Sequence, residues 1–195
     1  EDLRDVIGAY HRCVAETVRR FDGFLAKYMG DGVLVYFGYP AAHEDDAERA
    51  VRAGLAVVDA VGHLVVPEEA LRVRIGIATG LVVVGDLIGV GAAQEQAVVG
   101  ETPNLAARLQ ALAKPNAVVI AQATHRLTGG LFQYENLGAV EVKGFAEPVP
   151  AWRVFGESAV ENRFEALHPS GGETPLVGRE EEIELLLRRW QRAKS

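Results

Sequence analysis

A lysine and an aspartate lie four residues apart in a short segment that also contains two glycines, residues 27–32 (KYMGDG). Apolar runs flank the glycines on both sides, a pattern that predicts a β-hairpin in which glycine supplies the positive φ of the turn. The carboxylate of Asp31 would be exposed at the tip, where it suits a hard cation such as Mg²⁺. The hexapeptide alone is more typical of an ordinary turn with a solvated Lys27.

A second segment places an amide and a guanidinium four residues apart, at Asn104 and Arg108. Thr102 and Pro103 predict the start of a helix that runs to about Ala113, with Thr102 as N-cap and Pro103 at the first helical position. Residues i and i+4 project from one helix face. A helix start also attracts phosphate through its free N–H groups. The pair could therefore bind phosphate and ribose, or simply cap the helix and cover apolar surface.

The remaining chemical signals are weaker. Lys143 and Gly144 follow a predicted strand, and a lysine there could reach into a groove, although the dipeptide is a weak signal by itself. The segment 43–46 (HEDD) resembles a metal cluster, but it opens a predicted helix, where acidic residues stabilise the first turn. Cys13 is the only cysteine, so a disulfide scaffold and a structural zinc site are excluded.

Composition narrows the function classes further. The chain has 195 residues, of which 49% are hydrophobic and 24% charged, as in a globular protein. The net charge of −7 argues against broad binding to nucleic acid or to an anionic membrane. Apolar runs are far shorter than the ~20 residues that a membrane-spanning helix needs.

The elements that must position these residues follow from periodicity. Apolar residues recur at helical spacing over residues 1–20, which predicts a first helix. The hairpin follows it, and a second helix is predicted to begin at residues 43–46. Alternation over 71–78 predicts a strand, which Gly80 turns into a second strand at 81–87. We expect a loop over 88–96, and then the helix that begins at Thr102. Further strands are predicted at 97–99, 118–121, 132–137, 140–142 and 152–155, and a short helix at 123–127.

This order of helices and paired strands predicts an α+β fold, a sheet covered by helices on one face. It is similar to a ferredoxin-like core without its first strand. We assign residues 1–156 to this domain. The composition of 168–175 (HPSGGETP) predicts a linker over 157–178. A last helix is predicted over 179–195, and its apolar stripe either folds back on the domain or begins a second one.

Together, segments 27–32, 73–80, 100–109 and 142–144 resemble the class III nucleotidyl cyclase catalytic domain, the family of adenylate and guanylate cyclases. They come in the family's order and at its spacings, over residues 1–155. The resemblance implies a ferredoxin-like core with active sites at a homodimer interface. It also implies two Mg²⁺ or Mn²⁺ ions and in-line attack of the ribose 3′-oxygen on the α-phosphate of the nucleotide.

The resemblance carries roles to matching positions. Asp31 resembles the second of two metal-binding aspartates, and Lys27 the residue that reads the purine, where a lysine donor suits N1 of adenine. Asn104 resembles the residue that orients the ribose. Arg108 resembles the one that stabilises charge on the phosphate in the transition state. Lys143 resembles the lysine that holds the terminal phosphates.

Three departures accompany the resemblance. The family's first strand, which carries the other metal aspartate, precedes the point where this sequence begins, so we expect these 195 residues alone to be weakly active or inactive. The other purine-selecting position is Ala97, which has no side-chain hydrogen bond to offer. The preceding segment, 94–96 (QEQ), lacks the phosphate-binding arginine of some members.

The resemblance thus implies a cytoplasmic adenylate cyclase domain that makes cyclic AMP from ATP. Residues 175–182 (PLVGREEE) resemble the lead-in to a signalling ATPase module, an attached downstream partner. Three alternatives stay open. Ala97 leaves room for a guanylate or relaxed-specificity cyclase, and also for a degenerate module that binds nucleotide or only dimerises and regulates the ATPase. The third is an α+β interaction domain without nucleotide.

Overall fold

The computed structural model describes residues 3–64, 70–88, 95–159, 165–166 and 178–194. Its elements form an α+β architecture with a ferredoxin-like core, as the order of predicted elements indicates. The helices are α1 (Leu3–Arg19), α2 (Asp46–Gly62), α3 (Glu101–Leu112), α4 (Gln122–Thr128) and α5 (Glu180–Lys194). The strands are β1 (Phe24–Met29), β2 (Gly32–Tyr36), β3 (Arg74–Ile77), β4 (Val83–Ile88), β5 (Glu95–Val99), β6 (Ala117–Ala121), β7 (Phe132–Val140) and β8 (Val149–Glu157).

The main sheet has four strands in the order β3-β6-β8-β7. Strand β3 runs parallel to β6, whereas β8 is antiparallel to both β6 and β7. Two further antiparallel pairs, β1-β2 and β4-β5, stand as separate two-stranded sheets. The predicted β1-β2 hairpin is therefore confirmed.

The predicted hairpin of β3 with the next strand is wrong, because β3 pairs with β6 and β4 pairs with β5. Close packing at Gly80 explains the difference. A Cβ atom at this position would lie 2.6 Å from Oγ1 of Thr102. The chain therefore leaves β3 beside the start of α3 and does not turn back along β3. Strand β5 also begins at Glu95, inside the predicted loop.

Strand β7 is one continuous strand where the sequence predicted two. Gly138 adopts a φ of +76°, and the pairing of β7 with β8 shifts register between Asn136 and Gly138. The side chain of Asn136 accepts a hydrogen bond from the Gly138 N–H at 2.8 Å. The glycine forms a bulge that interrupts the ladder without ending the strand.

Helices cover both faces of the main sheet, whereas the sequence predicted one covered face. All five residues of β6 are buried. Val118 and Ile120 pack in a cluster with Val51 of α2, and the alternate residues pack against Leu109 of α3 and Ala113, which follows that helix. A central strand that is apolar on both faces requires a helical layer on each side.

A third cluster joins the hairpin to this core. Val14 and Val18 of α1 pack with Val57 and Val61 of α2, and the partly buried Val33 and Val35 of β2 complete the cluster. The β1-β2 hairpin is thus held to the domain through helices α1 and α2, although its strands are not hydrogen-bonded to the main sheet.

Most of the predicted linker lies outside the described residues. Within it, Ala166 is buried in the cluster that contains Val118. Helix α5 buries none of its side chains, and its apolar stripe, including Leu186 and Trp190, is exposed. Within the part of the chain that the structure describes, no helix combines the length and apolar content needed to cross a membrane.

Candidate functional site

Three residues singled out from the sequence line one open groove. Asn104 and Arg108 of α3 form one wall, and Lys143 belongs to the loop between β7 and β8. The groove offers about 200 Å³ of space, and Glu101, Gly144 and Phe145 complete its lining. An amide, a guanidinium and an ammonium group therefore converge on a space that can receive an anionic ligand.

Helix α3 is held in place by an unusually close contact with β3. A Cβ atom added to Gly76 would lie 2.1 Å from the carbonyl oxygen of Ala106 and 2.3 Å from the backbone nitrogen of Gln110. Leu109 anchors the helix in the core with no exposed surface. Asn104 and Arg108 remain exposed toward the groove. The position of the groove residues thus depends on a glycine in a neighbouring strand.

The start of α3 differs from the prediction. The helix begins at Glu101 with Gly100 as N-cap, so Pro103 occupies the third helical position. The hydroxyl of Thr102 donates a hydrogen bond to the carbonyl of Leu81 at 3.1 Å and does not cap the helix. Asn104 does not cap the helix either, because no side chain caps its first turn and the Nδ2 of Asn104 donates to the Gly100 carbonyl at 3.4 Å.

Lys143 occupies the corner of a tight turn. The backbone N–H of Phe145 donates to the carbonyl of Val142 at 3.1 Å, and Gly144 has a φ of +94°. These features match a type II turn, whose third position requires the positive φ that glycine supplies. Val142 is buried and Lys143 is exposed. The turn thus anchors the loop and leaves the ammonium group free to reach the groove.

Asp31 lies at the tip of the β1-β2 hairpin. Met29 pairs with Gly32, so the turn has two central residues, Gly30 and Asp31, and only Gly30 has a positive φ, +64°. This pattern is that of a type II′ turn. Asp31 is exposed and Lys27 is half-buried on β1. Neither side chain is among those that line the groove of the same chain.

Tyr10 is a neighbour of Asp31 that sequence reasoning treated only as part of an apolar stripe. Burial raises the pKa of the Tyr10 phenol, and the charges of Asp31 and of Cys13 raise it further. Helix α1 therefore places a half-buried phenol near the carboxylate at the hairpin tip. A cation bound by Asp31 would act on Tyr10 in the opposite direction.

The residues present fit a magnesium or manganese ion that is bound by one carboxylate together with the phosphates of the substrate. Within the described residues there is no group of three or more His, Cys, Asp or Glu side chains that could hold a metal, and this includes segment 43–46. There Asp46 accepts a hydrogen bond from the backbone of His43, and Asp45 pairs with Arg49.

Mg²⁺ keeps several waters and often binds through one or two carboxylates plus substrate phosphates. An exposed Asp31 matches that donor set.

Ala97 lies in β5, where the pairing with β4 shifts register between Val84 and Leu87. The structure does not describe its side chain, so its part in base selection stays a prediction. Gln94 lies outside the described residues.

Sequence reasoning missed two groove residues, Glu101 and Phe145. Each adjoins a residue that was singled out for a motif, and only the folded chain brings them to the same space.

Comparisons with known proteins give a consistent result. A family model described as "Adenylate and Guanylate cyclase catalytic domain" matches residues 1–155. An uncharacterised protein of Rhizobium meliloti is 32% identical over 97% of this chain, which spans 18% of that protein. The chain covers 13 to 26% of the length of the first curated relatives that it matches.

Solved structures agree with that match. The guanylyl cyclase Cya2 is 32% identical with a TM-score of 0.72, over 81% of this chain and 82% of the other. The adenylyl cyclase CyaB from P. aeruginosa is 27% identical with a TM-score of 0.72, over 82% of this chain and 86% of the other. Both base preferences therefore occur among proteins that are similar to this chain.

Proposed function

The chain belongs to the family of adenylate and guanylate cyclase catalytic domains, and from that premise we propose that it converts ATP into 3′,5′-cyclic AMP and pyrophosphate. The observation that carries the proposal is the convergence of Asn104, Arg108 and Lys143 on one groove. Two cations and an amide are suited to a triphosphate and the sugar attached to it.

Three groove residues, Asn104, Arg108 and Lys143, each have a definite task in this reaction. The ribose 3′-oxygen attacks the α-phosphorus, and the bond to the bridging oxygen of pyrophosphate breaks. Asn104 orients the ribose, so that the attacking oxygen stays in line. Arg108 donates to the α-phosphate oxygens, where charge changes in the transition state. Lys143 holds the terminal phosphates and stabilises the leaving pyrophosphate.

Asp31 would hold the divalent cation. When bound, that cation would neutralise the triphosphate and lower the pKa of the attacking hydroxyl. Asp31 does not line the groove of its own chain. This separation supports a homodimer in which the hairpin tip of one chain completes the groove of a second copy.

Lys27 supports the preference for ATP. Its ammonium group donates hydrogen bonds only, which suits the acceptor N1 of adenine and conflicts with the N1–H donor of guanine. A guanylate cyclase is the second candidate, and it is favoured by the 32% identity with a guanylyl cyclase. An ATPase module attached downstream also remains a proposal.

The test is cyclic nucleotide production from ATP and from GTP with Mn²⁺, measured on the full-length protein and on its Asp31→Ala variant. Asp59→Ala serves as the control, because Asp59 is an exposed carboxylate on α2. We expect cyclic AMP from the wild type and from the control, and none from Asp31→Ala.

Other results would contradict the proposal in distinct ways. Production of cyclic GMP alone, with no cyclic AMP, would make the chain a guanylate cyclase. A folded dimer that binds ATP without forming any product would make it a regulatory module. A folded protein that binds no labelled ATP in the presence of Mn²⁺ would make it an interaction domain.

A further inference from the structure

Glu101 is the one acidic side chain among the described residues that line the groove. The proposed reaction gives roles to Asn104, Arg108 and Lys143 but none to this carboxylate. Negative charge at this place opposes the binding of a triphosphate, unless the carboxylate faces a part of the ligand that is not phosphate. Its position in the groove indicates which part that is.

Helix geometry orders the three α3 residues along the groove wall. With a rise of about 1.5 Å per residue, Glu101 lies about 4.5 Å before Asn104 along the helix axis, and Arg108 about 6 Å beyond it. All three line the same groove. Arg108 and Lys143 mark the phosphate end, and Asn104 marks the ribose. Glu101 therefore lies on the side of the ribose that faces away from the phosphates.

The chemistry of the carboxylate selects its ligand atom. An ionised carboxylate accepts hydrogen bonds and donates none. The donors that a nucleoside triphosphate offers are its ribose hydroxyls and the groups on its base. Asn104, the ribose-orienting residue, lines the same groove and lies three residues after Glu101 on one helix face, so the ribose is the part of the ligand nearest to Glu101. The 3′-hydroxyl loses its proton in the reaction, whereas the 2′-hydroxyl keeps it.

We propose that Glu101 accepts a hydrogen bond from the ribose 2′-hydroxyl and thereby makes the domain selective for ribonucleotides over 2′-deoxyribonucleotides. This inference rests on the proposed function. A hydrogen bond to a charged group contributes enough to change a rate or a binding constant by about 10- to 100-fold. The same bond would hold the sugar in the orientation that Asn104 helps to set.

The test removes the two partners of the bond separately and together. The value of kcat/KM is measured with Mn²⁺ for ATP and for 2′-deoxy-ATP, on the wild type and on Glu101→Ala. We expect loss of the 2′-hydroxyl to cost the wild type about 10-fold or more, and to cost Glu101→Ala no more than about 3-fold. Glu101→Gln, which keeps an acceptor oxygen, should fall between them.

A matched control and a measurement of folding accompany the cycle. Glu147→Ala removes an exposed carboxylate that follows the Lys143 turn and does not line the groove. It should keep the full discrimination between the two nucleotides. Circular dichroism melting establishes that each variant is folded, and Glu101→Gln takes the place of Glu101→Ala in the cycle if the alanine variant unfolds.

Two results would overturn the proposal. One is an unchanged ratio between ATP and 2′-deoxy-ATP in Glu101→Ala. The other is an activity loss that is equal for both nucleotides and is restored by more Mn²⁺, which would identify Glu101 as a metal ligand. If the wild type forms no cyclic nucleotide, the proposed function fails. The binding of ATP and of 2′-deoxy-ATP to the wild type and to Glu101→Ala is then measured by calorimetry in the presence of Ca²⁺. The inference is refuted if the ratio of the two affinities is the same in both proteins.

Discussion

The substitution Gly76→Ala should displace helix α3, and with it one wall of the groove, although Gly76 itself does not line the groove. Contacts of a Cβ atom are ordinarily 3.4 Å or longer, and the Cβ of Gly76→Ala would lie 2.1 Å from the carbonyl oxygen of Ala106, so it falls short by about 1.3 Å. The atoms in its way belong to the backbone of α3, which cannot rotate aside as a side chain can. The helix must therefore shift as a unit, and Asn104 and Arg108 shift with it.

The size of the effect follows from that displacement. Overpacking of this kind costs about 1–3 kcal/mol, which lowers the melting temperature by roughly 2–12 °C in a domain of this size. A displacement of about 1 Å of residues that position a substrate costs on the order of 10²-fold in rate. We therefore expect kcat/KM for ATP to fall about 100-fold at a temperature where circular dichroism shows that Gly76→Ala is still folded.

Gly156→Ala is the matched control for this experiment. It is the same substitution in a strand of the same sheet, and the added Cβ meets no atom within 4 Å. It should leave both the melting temperature and the turnover close to those of the wild type. Wild-type turnover in Gly76→Ala, or an equal loss in both variants, would refute the argument that β3 sets the position of α3.

Three further predictions concern single side chains. Arg108→Ala should lower kcat by ~10²–10³-fold with little change in melting temperature, because Arg108 is exposed; an unchanged kcat would remove its role. Lys27→Glu should shift the ratio of cyclic AMP to cyclic GMP formed from equal ATP and GTP toward cyclic GMP, because the hydrogen-bond demand on the base is reversed; an unchanged ratio would place base selection elsewhere. Burial lowers the pKa of His125, whose ring stacks on Trp152 with centroids 4.4 Å apart. Because the unfolded chain then binds more protons, the free energy of unfolding should fall as the pH drops below ~6.5, and urea titrations at pH 7.5 and 5.5 should show a smaller decline for His125→Phe.

Local patterns predicted the elements that carry the site. The Gly-Asp-Gly segment predicted the β1-β2 hairpin, although it could not decide which glycine takes the positive φ, and Gly30 does so. The apolar stripe with Thr102 and Pro103 predicted α3 to within a residue or two. Its start was misplaced because the hydroxyl of Thr102 bonds to Leu81, a partner that lies far away in the sequence.

Relations between distant segments could not be derived from local patterns. Gly80 is equally compatible with a hairpin and with a strand that ends beside a helix, so the parallel pairing of β3 with β6 was missed. Nothing near Gly76 in the sequence reveals the backbone of α3 above it. The convergence of Asn104 and Lys143 was expected only from the family resemblance, since their elements meet through the packing of α3 on the sheet. The roles of these residues, like that of Ala97, stay predictions.

The turn at the tip of the β1-β2 hairpin has an evolutionary consequence. Its unusual backbone conformation is carried by Gly30, while Asp31 occupies a position with an ordinary negative φ that other residues can adopt. The conformational requirement and the chemical requirement thus fall on two different residues. A lineage can lose the carboxylate by a single substitution and still inherit an intact fold, which is the simplest route from an enzyme to a pseudoenzyme.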